Sequence, residues 1–597
     1  MTLALGRRTC ATGQRIDHRE SPMAKKLASV RTAQKRALSL ALLLVGIGAG
    51  VGCRSAPPTA ADDNALVVTV RSEPRTFNGL LATDRVSLLL STLTMGSLVR
   101  INGATQEVEP WLAERWTVSS DGREWTLALR SATFADGTPF RAADVVFTAN
   151  ALYDERTASP LAQTLLLDGK RLTFTAVDDS TVKVTLPAPY GPGLRILASL
   201  PILPKHLLEP RYVAGDFRGA WGLDIAPAAL VGLGPFRLRE YVPGQRVVLE
   251  RNPHYWRVDA SGARLPYLDR LQLDIVPDQN TEMLRLQSAR ADVVTGEVPP
   301  EELVSVRRLA EGGRLQLREL GVSLDPDFLW VNLAPARRAA GGRRAWLFAD
   351  DFRRAISSAV DREAFVRTVL LGAGTPTSRP ITSGNKRWYH AGLSDVAHDP
   401  ASARRVLASL GLSDRDGDGM LETADGEPVA FTLVTQQGHA LRDRAAGVLQ
   451  QDLAAVGVRM AIAKLDAPAL VARFQSGDYD AALFGAQASD TDPAANVDFW
   501  LSSGAFHFWN PGQSKPASTW EARIDSLMKD VVTLPDFAAR KARFDEVQAI
   551  FADVQPVLYF GAPIVHVALG TRVENASLGL LQPYVMWNAD SLRVKGH

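Results

Sequence analysis

Residues Asp414-Arg-Asp416-Gly-Asp418-Gly-Met420-Leu-Glu422-Thr-Ala-Asp425 carry the densest set of metal-type ligands in the chain. Side-chain oxygens at loop positions 1, 3, 5, 9 and 12, a carbonyl at 7 and a glycine at 6 reproduce the spacing of an EF-hand calcium loop. Asp425 stands where glutamate is usual, so bidentate ligation is harder, and no helix pair clearly flanks the loop. The expected calcium is therefore a structural brace and not a switch. The competing reading is a solvated Asp-Gly turn closed by its own Asx hydrogen bonds. No other cofactor is called for. A second cluster, Phe499-Trp500-Leu-Ser-Ser-Gly504 with Phe506-His507-Phe-Trp509-Asn510, gathers rings and polar groups in loops. Such loops line pockets because rings bury much area at modest entropic cost, so Trp500, His507 and Trp509 are contact candidates. Packing of a lobe surface is the alternative for each. Catalytic signatures are missing from the chain: no His-Glu-x-x-His pair, no G-x-S-x-G elbow, and histidines without metal-ligand spacing.

Cysteine chemistry is confined to the N-terminus. Cys10 and Cys53 are the two cysteines. The run Ala37–Val51 is apolar, follows Lys25, Lys26, Arg31, Lys35 and Arg36, and ends at Gly52-Cys53. A basic flank with an apolar run of about 15 residues is a secretory signal, too short for the roughly 20 residues of a membrane span. Cys53 is the expected lipid anchor of a lipoprotein, with residues 1–52 removed and Met23 as a second candidate start. Cleavage near Thr59-Ala60-Ala61 and an uncleaved anchor are the alternatives. The expected location is outside the cytoplasm, on the periplasmic or cell-surface side, with the chain held at the membrane through its N-terminal lipid. Residues 53–63 are small, polar and proline-bearing, as suits a tether.

Charge narrows the partners. The whole chain carries +2, and residues 1–52 hold nine Lys or Arg against two acids, so the mature chain is acidic at about −5. Its basic residues are interspersed with acids, which excludes a nucleic-acid footprint. With 46% hydrophobic residues over 597 positions, a large cysteine-free core is available and several domains are expected.

The elements that must position these groups alternate between strand and helix. Ala65–Val70 reads as a buried strand. Trp116–Val118 and Trp125–Leu129 flank Asp121-Gly122, a type I′ hairpin signal. Ala142–Tyr153 reads as a helix with Asp144 in its first turn, where a carboxylate favours the dipole. Ala401–Leu410, Leu441–Val456 and Trp520–Met528 carry helical periodicity.

Around the two hairpins the pattern becomes specific. Glu109-Pro-Trp-Leu-Ala-Glu-Arg-Trp116, Ser120-Asp-Gly122, Phe134-Ala-Asp-Gly-Thr-Pro139 and Ala143-Asp-Val-Val-Phe147 are followed in order by Val231-Gly-Leu-Gly-Pro-Phe236, Glu250-Arg-Asn-Pro-His-Tyr-Trp256, Gln287-Ser-Ala-Arg-Ala-Asp292, Phe352–Asp361 and Gln450–Leu453. This series resembles the family 5 extracellular solute-binding proteins, the oligopeptide, dipeptide and nickel receptors of ABC importers, over essentially the whole mature chain. Trp111, Trp116, Phe236 and Trp256 are expected as core or turn anchors.

The resemblance implies an α/β, two-lobed periplasmic binding protein fold of three domains (type II-like, cluster C) with a hinge and an interlobe cleft. Domain I would comprise 64–100, 229–325 and 555–597, domain II 101–228, and domain III 326–554, with hinge crossings at Trp330-Val-Asn332 and Gln555-Pro556. It also implies a monomer that captures an oligopeptide or another small solute and hands it to the transmembrane subunits of an ABC permease. Peptide-binding members anchor the ligand's α-amino group with an aspartate shortly before a proline. The matching stretch is Gly485-Ala-Gln487-Ala-Ser489-Asp490-Thr-Asp492-Pro493. Ser489 falls at the aspartate position and Ala486 at the usual tryptophan. Asp490 or Asp492 is therefore the expected anchor, with Gln487 and Ser489 beside it, and a plain turn is the alternative. An oligosaccharide or other polar solute stacked on Trp500 and Trp509 is the second ligand class, and a secreted hydrolase the remote contrast.

Overall fold

A computed structural model describes residues 64–595 other than 335–336, 338–341 and 486–489. Cys53, Gln487 and Ser489 lie outside the described residues, as do the signal segment and the tether. The chain folds as an α/β protein of two lobes, each with its own hydrophobic core. Among the described residues no helix is long and apolar enough to cross a membrane.

The first lobe is built on an eight-stranded sheet. Its order runs Phe236–Val242, Arg246–Arg251, Arg270–Ile275, Ala65–Val70, Val293–Val294, Gly561–Leu569 and Gln316–Val322, and Gly374–Pro376 adds to Gly561–Leu569. Ala65–Val70 is a parallel partner of Arg270–Ile275 on one side and of Val293–Val294 on the other. This central place explains its apolar sequence, since a strand covered on both faces cannot alternate. A four-stranded antiparallel sheet, in the order Ala113–Val118, Glu124–Leu129, Thr181–Thr185 and Thr173–Asp178, shares the same core. The turn at Asp121 differs from the expected type I′. Val118 pairs with Trp125, leaving a longer loop in which Gly122 (φ 71°) takes the positive φ and Asp121 does not. Asp121 instead accepts from Ser119 Oγ at 2.6 Å and from the Arg123 amide at 3.1 Å. That Asx geometry holds Asp121 at negative φ and removes the I′ option.

Helix Ala142–Tyr153 begins where the sequence places it. Asp144 accepts from the Arg141 amide at 2.8 Å and satisfies a donor that the helix leaves open. Its other oxygen accepts from the Lys205 amide at 2.9 Å.

The second lobe is built on a five-stranded sheet in the order Arg459–Leu465, Ala430–Gln436, Ala481–Phe484, Phe328–Val331 and Val557–Tyr559. Helices Pro400–Ser409, Ala440–Ala454, Thr519–Thr533 and Phe537–Val554 belong to this lobe. The crossings between the sheets differ from the expected hinges. Gln316–Val322 lies in the first sheet and Phe328–Val331 in the second, so the outward passage is Ser323–Asp327, and Trp330 is a buried mid-strand residue. Gln555 (φ 51°) is the C-cap of helix Phe537–Val554, and Val557–Tyr559 still pairs with Phe328–Trp330. The return passage is therefore at Phe560, between that strand and Gly561–Leu569. Strand pairing fixes these points, and the sequence blocks alone do not register it.

Candidate functional site

The strand Phe328–Val331 sits between two neighbours in the second sheet, and Phe328 at its start gathers a ring cluster. Its centroid lies 5.4 Å from Tyr559, 5.9 Å from Phe499 and 6.1 Å from Phe508. These rings, with Phe474, Phe484, Trp500 and Phe506, wall a cavity of about 680 Å³ whose polar groups include Asp325, Thr382, Asn385, Asp490 and Asp498. A volume in the 300–1,000 Å³ range with mostly apolar walls and a few polar groups is that of a small-ligand site. A second chamber of about 630 Å³ opens toward the first lobe, between Gln163, Leu166, Tyr190 and Arg195 on one side and Val497, Met528 and Lys529 on the other. Thr164, Asp490, Ala495 and Asp498 border both chambers.

The divide between the chambers is an ion pair. Arg195, on the short helix Gly193–Ser199 of the first lobe, meets Asp490 of the second through two nitrogens, and both side chains are almost fully buried. Its remaining donors reach Gln106 O and Thr491 Oγ1, each at 2.8 Å. Gln106 is itself buried at φ 64°. It donates to Gly384 O at 2.8 Å and accepts from the Lys386 amide at 3.1 Å, both on the second lobe. The Gly191 amide donates to Val532 O at 2.6 Å. A Cβ at Gly191 would sit 2.2 Å from Leu534 O, so the close approach requires glycine.

These contacts change the standing of the acids that the sequence singles out. Asp490 is held by a guanidinium, and an ammonium there would have to displace it. Asp492 is held by Arg540 at 2.7 and 3.0 Å and also caps Pro493–Asn496 through the Ala494 amide at 3.0 Å. Trp500 does reach the cavity wall, with its ring 5.0 Å from both Phe544 and Phe551. His507 and Trp509, at 2% and 0% exposure, lie behind the wall in the core. His507 contacts Glu521 at 3.2 Å and Gln513 at 3.1 Å, and Trp509 packs on His507 at 3.9 Å between centroids. The reason lies in the turns of this loop. The Phe508 amide donates to Phe506 O at 2.9 Å and the Asn510 amide to His507 O at 3.1 Å, which leaves Phe506 and Phe508 on the cavity wall and turns His507 and Trp509 into the core. Arg195 carried no local signal.

In the acidic loop, Asp414, Asp416 and Glu422 bring one carboxylate oxygen each within 4.8 Å of one another. Asp418 is turned to Arg459 at 3.6 Å and accepts from the Met420 amide at 2.7 Å. Asp414 accepts from the Gly417 and Gly419 amides at 2.7 and 3.0 Å, and Glu422 from the Arg415 amide at 2.8 Å. Asp425 is not part of the three-carboxylate group.

Residues 107–508 match the family model described as bacterial extracellular solute-binding proteins, family 5 middle. The chain belongs to this family. A probable ABC transporter-binding protein of Deinococcus radiodurans is 26% identical over 523 residues, covering 84% of this chain and 87% of the relative. The oligopeptide-binding protein AppA of Bacillus subtilis is 25% identical over 85% of this chain and 88% of its own length. Among solved structures, AppA of Bacillus subtilis in complex with a nonapeptide superposes with a TM-score of 0.65 at 24% identity, over 89% of this chain and 98% of that one. NikA from Brucella suis in complex with Fe(III)-EDTA gives 0.73 at 22% identity, over 89% and 100%. These superpositions establish the two-lobed fold. Family 5 proteins are solute receptors of ABC importers and not enzymes, and the chambers described above are the receptor's candidate binding cleft.

Proposed function

We propose that this family 5 receptor captures oligopeptide-type solutes outside the cytoplasm and delivers them to an ABC permease, tethered to the membrane through lipid on Cys53. The observation that carries the ligand class is the wall of the 680 Å³ chamber, where phenylalanine rings with Leu324, Ile381 and Pro380 form broad apolar surface and threonine, asparagine and aspartate groups stand between them. Such a wall rewards burial of apolar side chains at roughly 25 cal/mol per Å² and offers polar groups for a peptide backbone between them. The sugar reading loses one of its two stacking surfaces, because Trp509 is in the core, while Trp500 stays on the wall. Relatives named for oligopeptides support the same class.

Mass spectrometry of material released by denaturing the purified protein tests the reading. Peptides of varied sequence are expected. A uniform sugar or metal chelate in stoichiometric yield would overturn it.

A further inference from the structure

The aromatic chamber is also anionic. Its wall carries the carboxylates of Asp325, Asp490 and Asp498, and no lysine, arginine or histidine among the described residues. Asp490 is neutralised by Arg195. Asp498 differs: its side chain is exposed, makes no hydrogen bond or ion pair with a described residue, and borders both chambers. The fold fixes its place. The Phe506 amide donates to Asp498 O at 3.2 Å, and a Cβ at Gly504 would lie 2.0 Å from that same oxygen, so the chain doubles back around Asp498 only with glycine there. Doubling back brings Phe506, 55% exposed, to the chamber beside Asp498. Its ring is 5.9 Å from Phe508, which is 6.5 Å from Phe499. A carboxylate that shares a chamber wall with several rings suits a cationic nitrogen. The carboxylate accepts a charge-assisted hydrogen bond, and the rings attract the cation through their quadrupoles.

We propose that Asp498, on the same chamber wall as Phe499, Phe506 and Phe508, is the cation-selecting residue of the cleft, so that the solute presents a cationic nitrogen next to apolar or aromatic surface. The proposal rests on the peptide reading for the source of that nitrogen, either the amino terminus or a Lys or Arg side chain.

Calorimetry on the mature protein, freed of endogenous solute, separates the possibilities with Phe-Lys-Phe, its N-acetyl form, Phe-norleucine-Phe, N-acetyl-Phe-norleucine-Phe and phenethylamine. The peptide without either cation is expected to bind at least about tenfold more weakly than the tightest member, the size of a hydrogen bond to a charged group. Loss on acetylation alone assigns the amino terminus, and loss on norleucine substitution alone assigns the side chain. Asp498→Asn should bring the cationic peptides down to the affinity of the neutral one, and Asp498→Glu should retain the preference. Equal affinities for all four peptides, or a preference that survives Asp498→Asn, overturn the proposal and leave the peptide reading standing. Binding of phenethylamine in an Asp498-dependent way without binding of any peptide overturns the peptide reading and keeps the cation proposal. Binding of none of the probes overturns the proposal.

Discussion

Breaking the pair between Arg195 and Asp490 is the sharpest perturbation available, because it joins the two lobes with both side chains buried. Asp490→Asn strands a guanidinium whose other hydrogen bonds, to Gln106 O and Thr491 Oγ1, survive. Removing one partner of a buried pair costs about 3–5 kcal/mol, and those surviving acceptors place this case near about 3. Arg195→Met strands a carboxylate that keeps the Thr491 amide at 2.5 Å, so a similar cost is expected. The double variant Arg195→Met with Asp490→Leu leaves no stranded charge and should cost less than the sum, by about 2 kcal/mol or more. Because the contact exists only with the lobes together, about 3 kcal/mol corresponds to about two orders of magnitude in the ratio of closed to open forms. Urea unfolding of the parent, the single variants and the double variant measures the cycle, and small-angle scattering without solute measures the lobe equilibrium through the radius of gyration. Additive single effects under about 0.5 kcal/mol with an unchanged radius of gyration would refute the reasoning. Peptide binding adds a control. If a ligand ammonium displaced Arg195, Arg195→Met would tighten free-amine peptides over acetylated ones, and no such difference is expected.

Three further outcomes follow from the structure and the sequence. Burial works to raise the Glu521 carboxyl, but hydrogen bonds from His507, the Ala517 amide and Gln513 outweigh it and hold the group at about 2, below its ordinary 4.5. A depressed carboxyl stabilises the fold above its unfolded value, so about 3 kcal/mol should be lost as pH falls from about 4.5 through about 2. Glu521→Gln should flatten that part of a stability-against-pH curve, and an unchanged slope would contradict it. Gly191→Ala places a Cβ 2.2 Å from Leu534 O and 2.7 Å from Arg540 Nε, so urea unfolding should show a loss of about 1–3 kcal/mol, and a neutral result would mean that the lobe contact is not made in solution. Cys53→Ala should move the protein from the detergent phase to the aqueous phase of a phase-partition extraction, and a wild type already in the aqueous phase would remove the lipid anchor.

Local chemistry made the helices legible. Asp399 accepts from the Ser402 amide at 2.8 Å and starts Pro400–Ser409 one residue before the expected Ala401, and Asp144 does similar work for Ala142–Tyr153. Helix Thr519–Thr533 runs past its expected end at Met528 because Val531 still finds the second core, which a periodic window cannot see. The hinge was displaced for a related reason. Trp330 and Gln555 stand at conspicuous positions in sequence, but the edge strand Val557–Tyr559 is assigned to its sheet by pairing with residues more than 200 positions earlier. In the site, the ring-rich loop was legible as a loop, but its inward and outward rings are set by successive turns that follow no simple period. The partner of Asp490 was not legible at all, since Arg195 lies 295 residues away and an arginine in a short helix has no periodicity of its own.

That hidden partner reorganises the chemistry of the cleft. A carboxylate just before a proline is a strong acceptor for any cation that reaches it, and here the cation is supplied by the opposite lobe of the same chain. Lobe contact at this point therefore needs no ligand charge, and the Gln106 side-chain amide reinforces it by donating to Gly384 O and accepting from the Lys386 amide. Whatever discrimination the receptor exerts must then come from groups that the closed form leaves facing its chambers. On the first lobe Tyr190 and Gln163 face the second chamber, whereas the rings and Asp498 belong to the second lobe. An arrangement in which one acid closes the lobes and another faces the solute separates closure from selection. On that division, substitutions at Arg195 should shift affinities for all peptides by a common factor, whereas substitutions at Asp498 should shift them according to charge. Calorimetry with one cationic and one neutral peptide on both variants distinguishes the two patterns, and charge-dependent losses at Arg195 would show that closure and selection share one acid after all.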